Sequence, residues 1–348
     1  MGQHDRASFV HQASIYSSDE QFLAMAVPFV KDGLARAEPV LVTTTSANLA
    51  LLWEAVGPDW QQFDHAESAY FGRRTAQRVA AFDRYWKRRS SGGDGHVRIL
   101  AEPVWPGRSD GEITAWTRME STLNVVLSTT NIWMICPYDT RLTPAAVVTD
   151  AQRTHPTRMD GHTTLPCPQF VDPATFTRAC DAAPLPGPPP HTAQHGPGRD
   201  LAGMRRFVAV QAGTLGLASE RVQMLVAAAN EAAAYLLNHG SGGVVTRIWT
   251  RAGTLVCDLR QPAGNLADPF LGFRPPGSQP ADDDGLWLAR QLCDTVKAHT
   301  DDNGVALRLQ VPGPHAQEPL QTAAVNLLPP VGAASWELTQ RYRRTAVL

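Results

Sequence analysis

Two periodicities alternate along this chain. From Phe22 to Gly33 apolar residues fall at helical spacing, behind a Ser-x-x-Gln capping box opened by Ser18. Residues 39–45 read Pro-Val-Leu-Val-Thr-Thr-Thr, a β-branched strand, and residues 47–57 form the helix after it. A second strand covers 96–105, a helix opened by the Ser109/Glu112 capping box runs to Leu127, and the apolar run 131–138 is a third strand. Thr143 with Pro144 starts a further helix, because proline suits the first helical position. Buried strands alternating with helices predict an α/β domain with a mainly parallel sheet and helices on its faces. Ligands of such folds sit beyond the carboxyl ends of the strands, which here carry Glu102-Pro103 and Cys136-Pro137-Tyr138.

The pattern changes after Ala182. Residues 182–200 are dominated by proline and glycine and read as an extended, semi-rigid linker. Beyond it a helix over 201–215 precedes a longer one over 219–239 that Gly240 stops. Val222, Leu225, Val226, Ala229, Ala233 and Leu236 give the longer helix one apolar stripe. Strands over 245–251 and 253–261 meet at Ala252-Gly253, then come a polar loop, a helix over 285–296 and a strand over 305–311. This order predicts an α+β sandwich with helices on one face of a mixed or antiparallel sheet. The expected division is 8–181, a linker 182–200, 201–312, and an extension 313–348 in which Trp336, Leu338 and Tyr342 could dock a terminal helix.

Composition narrows the function classes. The chain has 348 residues, 43% hydrophobic and 18% charged, enough apolar material for two cores. A net charge of −2 supplies no attraction for nucleic acid or an anionic membrane. The five cysteines are widely spaced and include no Cys-x-x-Cys pair, so neither a disulfide framework nor a zinc site is expected and no metal ligand is assigned. No apolar run approaches the ~18 residues of a membrane span, and the first residues lack a signal core. The expectation is a reducing, cytoplasmic protein.

Two sets of motifs carry resemblances. Asn230-Glu231-Ala232, His239-Gly240, Leu255-Val256-Cys257, Asp268-Pro269 and the run Gly285 to Asp294 make the second half resemble the GHKL (HATPase_c) fold, specifically the anti-sigma-factor serine kinases. In the first half, His11, Tyr16, the 22–33 helix, Glu102-Pro103-Val104-Trp105-Pro106-Gly107-Arg108, Glu120, Asn124, Cys136-Pro137-Tyr138-Asp139 and His155-Pro156 resemble the MEDS sensory domain. The resemblance implies a RecA-like three-layer first domain fused to a GHKL sandwich, as in RsbA/RsbW-like anti-sigma regulators. His11, Tyr16, Glu102, Trp105, Glu120, Cys136 and Tyr138 are the candidate sensory pocket, although each is as well explained by packing.

The resemblance also assigns a nucleotide site, and this chain departs from it. The family places a serine-polarising Glu on the long helix and a Mg²⁺-holding Asn four residues later. Glu231 matches the first, as a vestigial base beside Asn230, but Tyr235 stands at the second, and a neutral phenol is a poor ligand for a hard cation. Asn238 lies one turn further on. An Asp that accepts the adenine amino group corresponds to Gln261, with Gly264 in the glycine turn. The phosphate-binding Gly-x-Gly-Leu corresponds to Asp283-Asp284-Gly285-Leu286, where carboxylates repel phosphate. ATP and Mg²⁺ binding is therefore expected to be weak or lost.

The leading expectation is a regulator in a partner-switching circuit. It would sense a small molecule or protein and bind a sigma factor, a STAS-domain anti-anti-sigma protein, or both, with a homodimer as one oligomeric form. The alternatives are an active Mg-ATP-dependent serine/threonine kinase and a sensor histidine kinase. The proline-rich segment occupies the place where the latter needs its phosphoacceptor helix. No Walker-type phosphate loop and no basic helix-turn-helix is present.

Overall fold

The computed structural model of the protein describes residues 9–313, except 73, 91–95, 162, 265, 267, 278, 280, 302 and 303. The expected terminal helix and nearly all of the 313–348 extension lie outside the described residues.

The first domain is built on β1 (Val10–Tyr16), α1 (Asp19–Ala35), β2 (Val40–Thr44), α2 (Ser46–Val56), β3 (Asp64–Glu67), α3 (Thr75–Arg89), β4 (Val97–Ala101), α4 (Asp110–Val126) and β5 (Ile132–Asp139). It closes with α5 (Ala145–Thr154), β6 (Thr157–Asp160), β7 (Thr163–Pro166) and α6 (Pro173–Asp181). The seven strands run in the order β3-β2-β4-β5-β1-β6-β7, parallel except for the β6–β7 hairpin at one edge. Ser18 caps α1 by accepting from Gln21 N, and both halves of the Ser109/Glu112 box form at α4.

Strand alternation sends side chains to two cores. Val40, Val42, Leu100 and Ile135 meet Phe22, Phe29 and Leu52 of α1 and α2. Leu41, Ile99, Met134 and Cys136 meet Val79, Phe82, Met119 and Leu123 of α3 and α4. Two helical layers around one sheet make the expected three-layer α/β domain. β1 lies outside the expected strands because its polar residues break the apolar pattern. In the centre of the sheet those same residues, His11, Gln12 and Ser14, are buried.

The second domain comprises β8 (Ala193–Gly198), α7 (Leu201–Thr214), α8 (Ser219–His239), β9 (Val244–Arg251), β10 (Thr254–Gln261), α9 (Asp284–Leu292), β11 (Thr295–Asp301) and β12 (Gly304–Pro312). Its sheet is antiparallel, in the order β11-β12-β10-β9-β8. One face packs Leu255, Cys257, Leu259, Leu307 and Leu309 against Leu225, Ala229 and Leu236 of α8 and Leu286 of α9. This is the α+β sandwich of a GHKL-like domain.

Two expected boundaries are corrected. The helix expected over 285–296 stops at Leu292, and the next residues form β11 against β12. Within the expected linker, Ala193–Gly198 is an edge strand paired with β9. Residues before it also dock, since Arg308 donates to the Pro186 carbonyl at 2.7 Å. Arg308 alternates with core-facing Leu307 and Leu309, so it projects from the sheet face opposite the helices. Buried Asp258, Arg308 and Trp249 on that face need cover, and the proline-rich segment provides some of it.

Candidate functional site

In the second domain the nucleotide-site positions come together at the C-terminal part of α8, the end of β10 and the N-terminus of α9. Tyr235 is half-buried and stacks on His239, with ring centroids 4.0 Å apart. Its phenol faces Asp283, Asp268 and Asp282, and burial together with these carboxylates raises its pKa. His239 lies 3.6 Å from the exposed Asp282 carboxylate. Asn238 is solvent-exposed.

Gln261 differs from expectation. An acceptor for adenine must be reachable, yet Gln261 is fully buried and its amide donates to the Gly242 carbonyl at 3.2 Å. Its Oε1 packs under Gly240, where an added Cβ would lie 1.9 Å away. The bare glycine after α8 is what admits this side chain. Gly264, with φ 155, sits beside Val305 and Gln261 Oε1. Asp258, mid-strand as expected, pairs with Arg308 at 2.8 Å.

Asp283 accepts from Gly272 N at 2.8 Å and so ties the 268–273 loop to the start of α9. Gly285 lies against Glu231, with a built Cβ only 2.4 Å from Oε2, while Leu286 is in the core. Asn230 bridges Glu231 Oε1 (3.1 Å) and Arg205 (2.8 Å). An open groove of about 490 Å³ runs between α7 and α8, lined by Arg205, Val222, Val226, Asn230 and Glu231.

In the first domain the pocket candidates divide into two buried groups. Glu102, at the end of β4, accepts from Tyr16 OH (2.7 Å), Asn48 Nδ2 (2.8 Å) and the Thr44 hydroxyl. Burial still pushes its carboxyl above the ordinary carboxylate range. Arg78 of α3 donates to Ser68, Thr43 and the carbonyls of Phe71 and Glu102. The sequence reading missed Arg78, because an arginine on a helix reads as a surface charge. Trp105 and Tyr138 lie near-parallel, with centroids 6.2 Å apart.

The second group holds His11, Glu120 and Cys136 together with His155, all buried, with ligand-type atoms within 4.8 Å of one another. β1, α4, β5 and the end of α5 each supply one of them. Sequence spacing could not reveal this set, since four separate elements carry it.

These geometries define the class: an α/β sensory fold joined to a kinase-type ATPase fold. Residues 10–156 match the MEDS family, the MEthanogen/methylotroph, DcmR Sensory domain, and residues 197–311 match the histidine kinase-like ATPase domain. The chain is a fusion of these two domain families. No curated protein matches it. Among the described residues, no helix is long and apolar enough to cross a membrane.

Proposed function

We infer that this protein regulates transcription by partner switching: the MEDS domain takes the signal, and the ATPase-like domain binds a sigma factor or a STAS-domain anti-anti-sigma protein without phosphorylating it. The observation that carries this reading is Tyr235, stacked on His239 where the resemblance calls for a Mg²⁺-holding amide. Gln261 and Asp283 support it, one buried and the other committed to Gly272 N. Contacts between the two domains also support it. Gln291 of α9 donates to the Ala76 carbonyl of α3 (3.3 Å), Asp294 just past α9 pairs with Arg74 just before α3 (2.5 Å), and Trp287 packs on the first-domain core. A change in the sensory domain therefore meets the helix that borders the degenerate site.

Calorimetric titration with Mg-ATP should give a dissociation constant weaker than about 1 mM. Native co-purification should recover a sigma factor or STAS protein. Micromolar Mg-ATP binding with transfer of phosphate to a STAS serine would replace this reading by the active-kinase one, which Glu231 favours.

A further inference from the structure

We propose that His11, Glu120, Cys136 and His155 form a closed, tetrahedral site for one borderline-soft divalent transition-metal ion, with Zn²⁺ the best fit.

Ligand spacing is the first support. An ion with bonds of about 2.0–2.3 Å holds tetrahedral ligand atoms about 3.3–3.8 Å apart. Here His11 Nε2 and Glu120 Oε2 are 3.6 Å apart, His155 Nε2 and Glu120 Oε2 3.7 Å, and Cys136 Sγ and His11 Nε2 3.5 Å. Three of the six distances between the four donors thus fall in that range, and all four donor atoms lie within 4.8 Å of one another.

Tautomers supply the second. Asn124 Nδ2 donates to the Thr154 carbonyl (2.8 Å), so its Oδ1 faces His11 Nδ1 (3.0 Å) and makes that nitrogen the donor. His155 Nδ1 lies 2.8 Å from the Ala151 carbonyl, which only accepts. Both rings therefore turn bare Nε2 lone pairs inward, the arrangement of metal-bound histidines fixed by outer hydrogen bonds. Glu120 Oε2, which faces both nitrogens, and His155 Nε2 are buried without any hydrogen-bond partner. Acceptors converging in a dry interior need a shared proton or a metal ion between them.

Charge balance is the third. A divalent ion is neutralised by the Cys136 thiolate and the Glu120 carboxylate, and buried Arg78, which interacts electrostatically with Glu120 and Cys136 ahead of Glu102, favours both anionic forms. The ion takes the thiolate and carboxylate forms, so its binding releases any thiol or carboxyl proton to solvent. Two imidazoles, a thiolate and a carboxylate suit Zn²⁺, Co²⁺ or Fe²⁺ over Mg²⁺ or Ca²⁺. All four positions are filled by protein, so the site is structural or sensory and offers no place for a metal-bound water.

The test uses the full chain without a histidine tag, expressed in medium supplemented with Zn²⁺ or Co²⁺ and purified without chelator. Elemental mass spectrometry should find about one ion per chain. The Co²⁺ form should show intense tetrahedral visible bands and a thiolate-to-cobalt charge-transfer band. Cys136→Ser should abolish that band. Glu120→Gln should stay folded, because its amide can donate to His155 Nε2, yet lose the ion. Asn124→Ala, one shell out, should weaken binding about 10- to 100-fold. Less than roughly one-tenth of an ion per chain in folded wild type overturns the proposal and leaves a neutral, protonated Glu120 that donates its proton within the cluster. Full occupancy in both Cys136→Ser and Glu120→Gln also overturns it, placing the ion elsewhere.

Discussion

At Glu102, the hydrogen bonds of Tyr16, Thr44 and Asn48 favour the carboxylate, while burial favours the acid and wins. The sign of the resulting pH dependence follows. A carboxyl with a raised folded pKa holds its proton more tightly in the native state than in the unfolded chain. Its contribution to stability is therefore full below the ordinary value of 4.5 and declines as pH rises through the raised folded value. Thermal melts from below that value to neutrality should show this decline in wild type and a flatter profile in Glu102→Gln. Equal slopes would remove Glu102 from the account. In the second domain, Tyr235→Asn should cost about 1–2 kcal/mol by urea denaturation, since the ring is only half-buried. It should not restore Mg-ATP binding by itself, because Gln261 remains buried and Asp283 remains tied to the loop.

Among the elements, α9 concentrates the constraints. The loop before it crosses so close that a Cβ on Gly272 would sit 2.8 Å from the Leu286 backbone carbon, and Gly272 has φ 67. An alanine there meets both a left-handed backbone and occupied space. Gly272→Ala should destabilise the protein by about 2–4 kcal/mol, summing the two penalties. A change below about 0.5 kcal/mol in urea denaturation would mean that the loop yields freely. The apolar spacing of α8 and the capping residues of α1 and α4 were legible in the sequence because they obey local rules. β8 and β11 were not. A segment such as Ala-Gln-His-Gly-Pro-Gly becomes a strand only when β9 offers its edge.

Across the whole molecule, Arg118 of α4 spans the two domains. It bonds Asp181 bidentately, at 2.8–3.1 Å, and the Pro269 carbonyl at 2.7 Å, and it lies over the Phe273 ring. Arg118→Ala should leave each domain folded but separate their unfolding into two calorimetric transitions, with faster proteolysis in the 182–192 segment. A single unchanged transition would show that the Arg74–Asp294 and Trp287 contacts suffice to couple them. In wild type, cleavage is expected within 182–192 and not within β8, whose backbone is paired with β9.

A family resemblance implied a sensory domain and a kinase-like one; what periodicity and caps determined by themselves is an α/β domain followed by an α+β sandwich, with the main helices and strands of each. Those are properties of neighbouring residues, and short-range rules read them. Only the tertiary structure decided that Gln261 turns under Gly240, that the proline-rich segment covers a sheet face, and that Arg78 is buried. It also decided that His11, Glu120, Cys136 and His155 meet. Their convergence depends on β1 lying between β5 and β6 with α4 packed on the same face. Parallel pairing brings distant segments side by side at a register that no local spacing encodes.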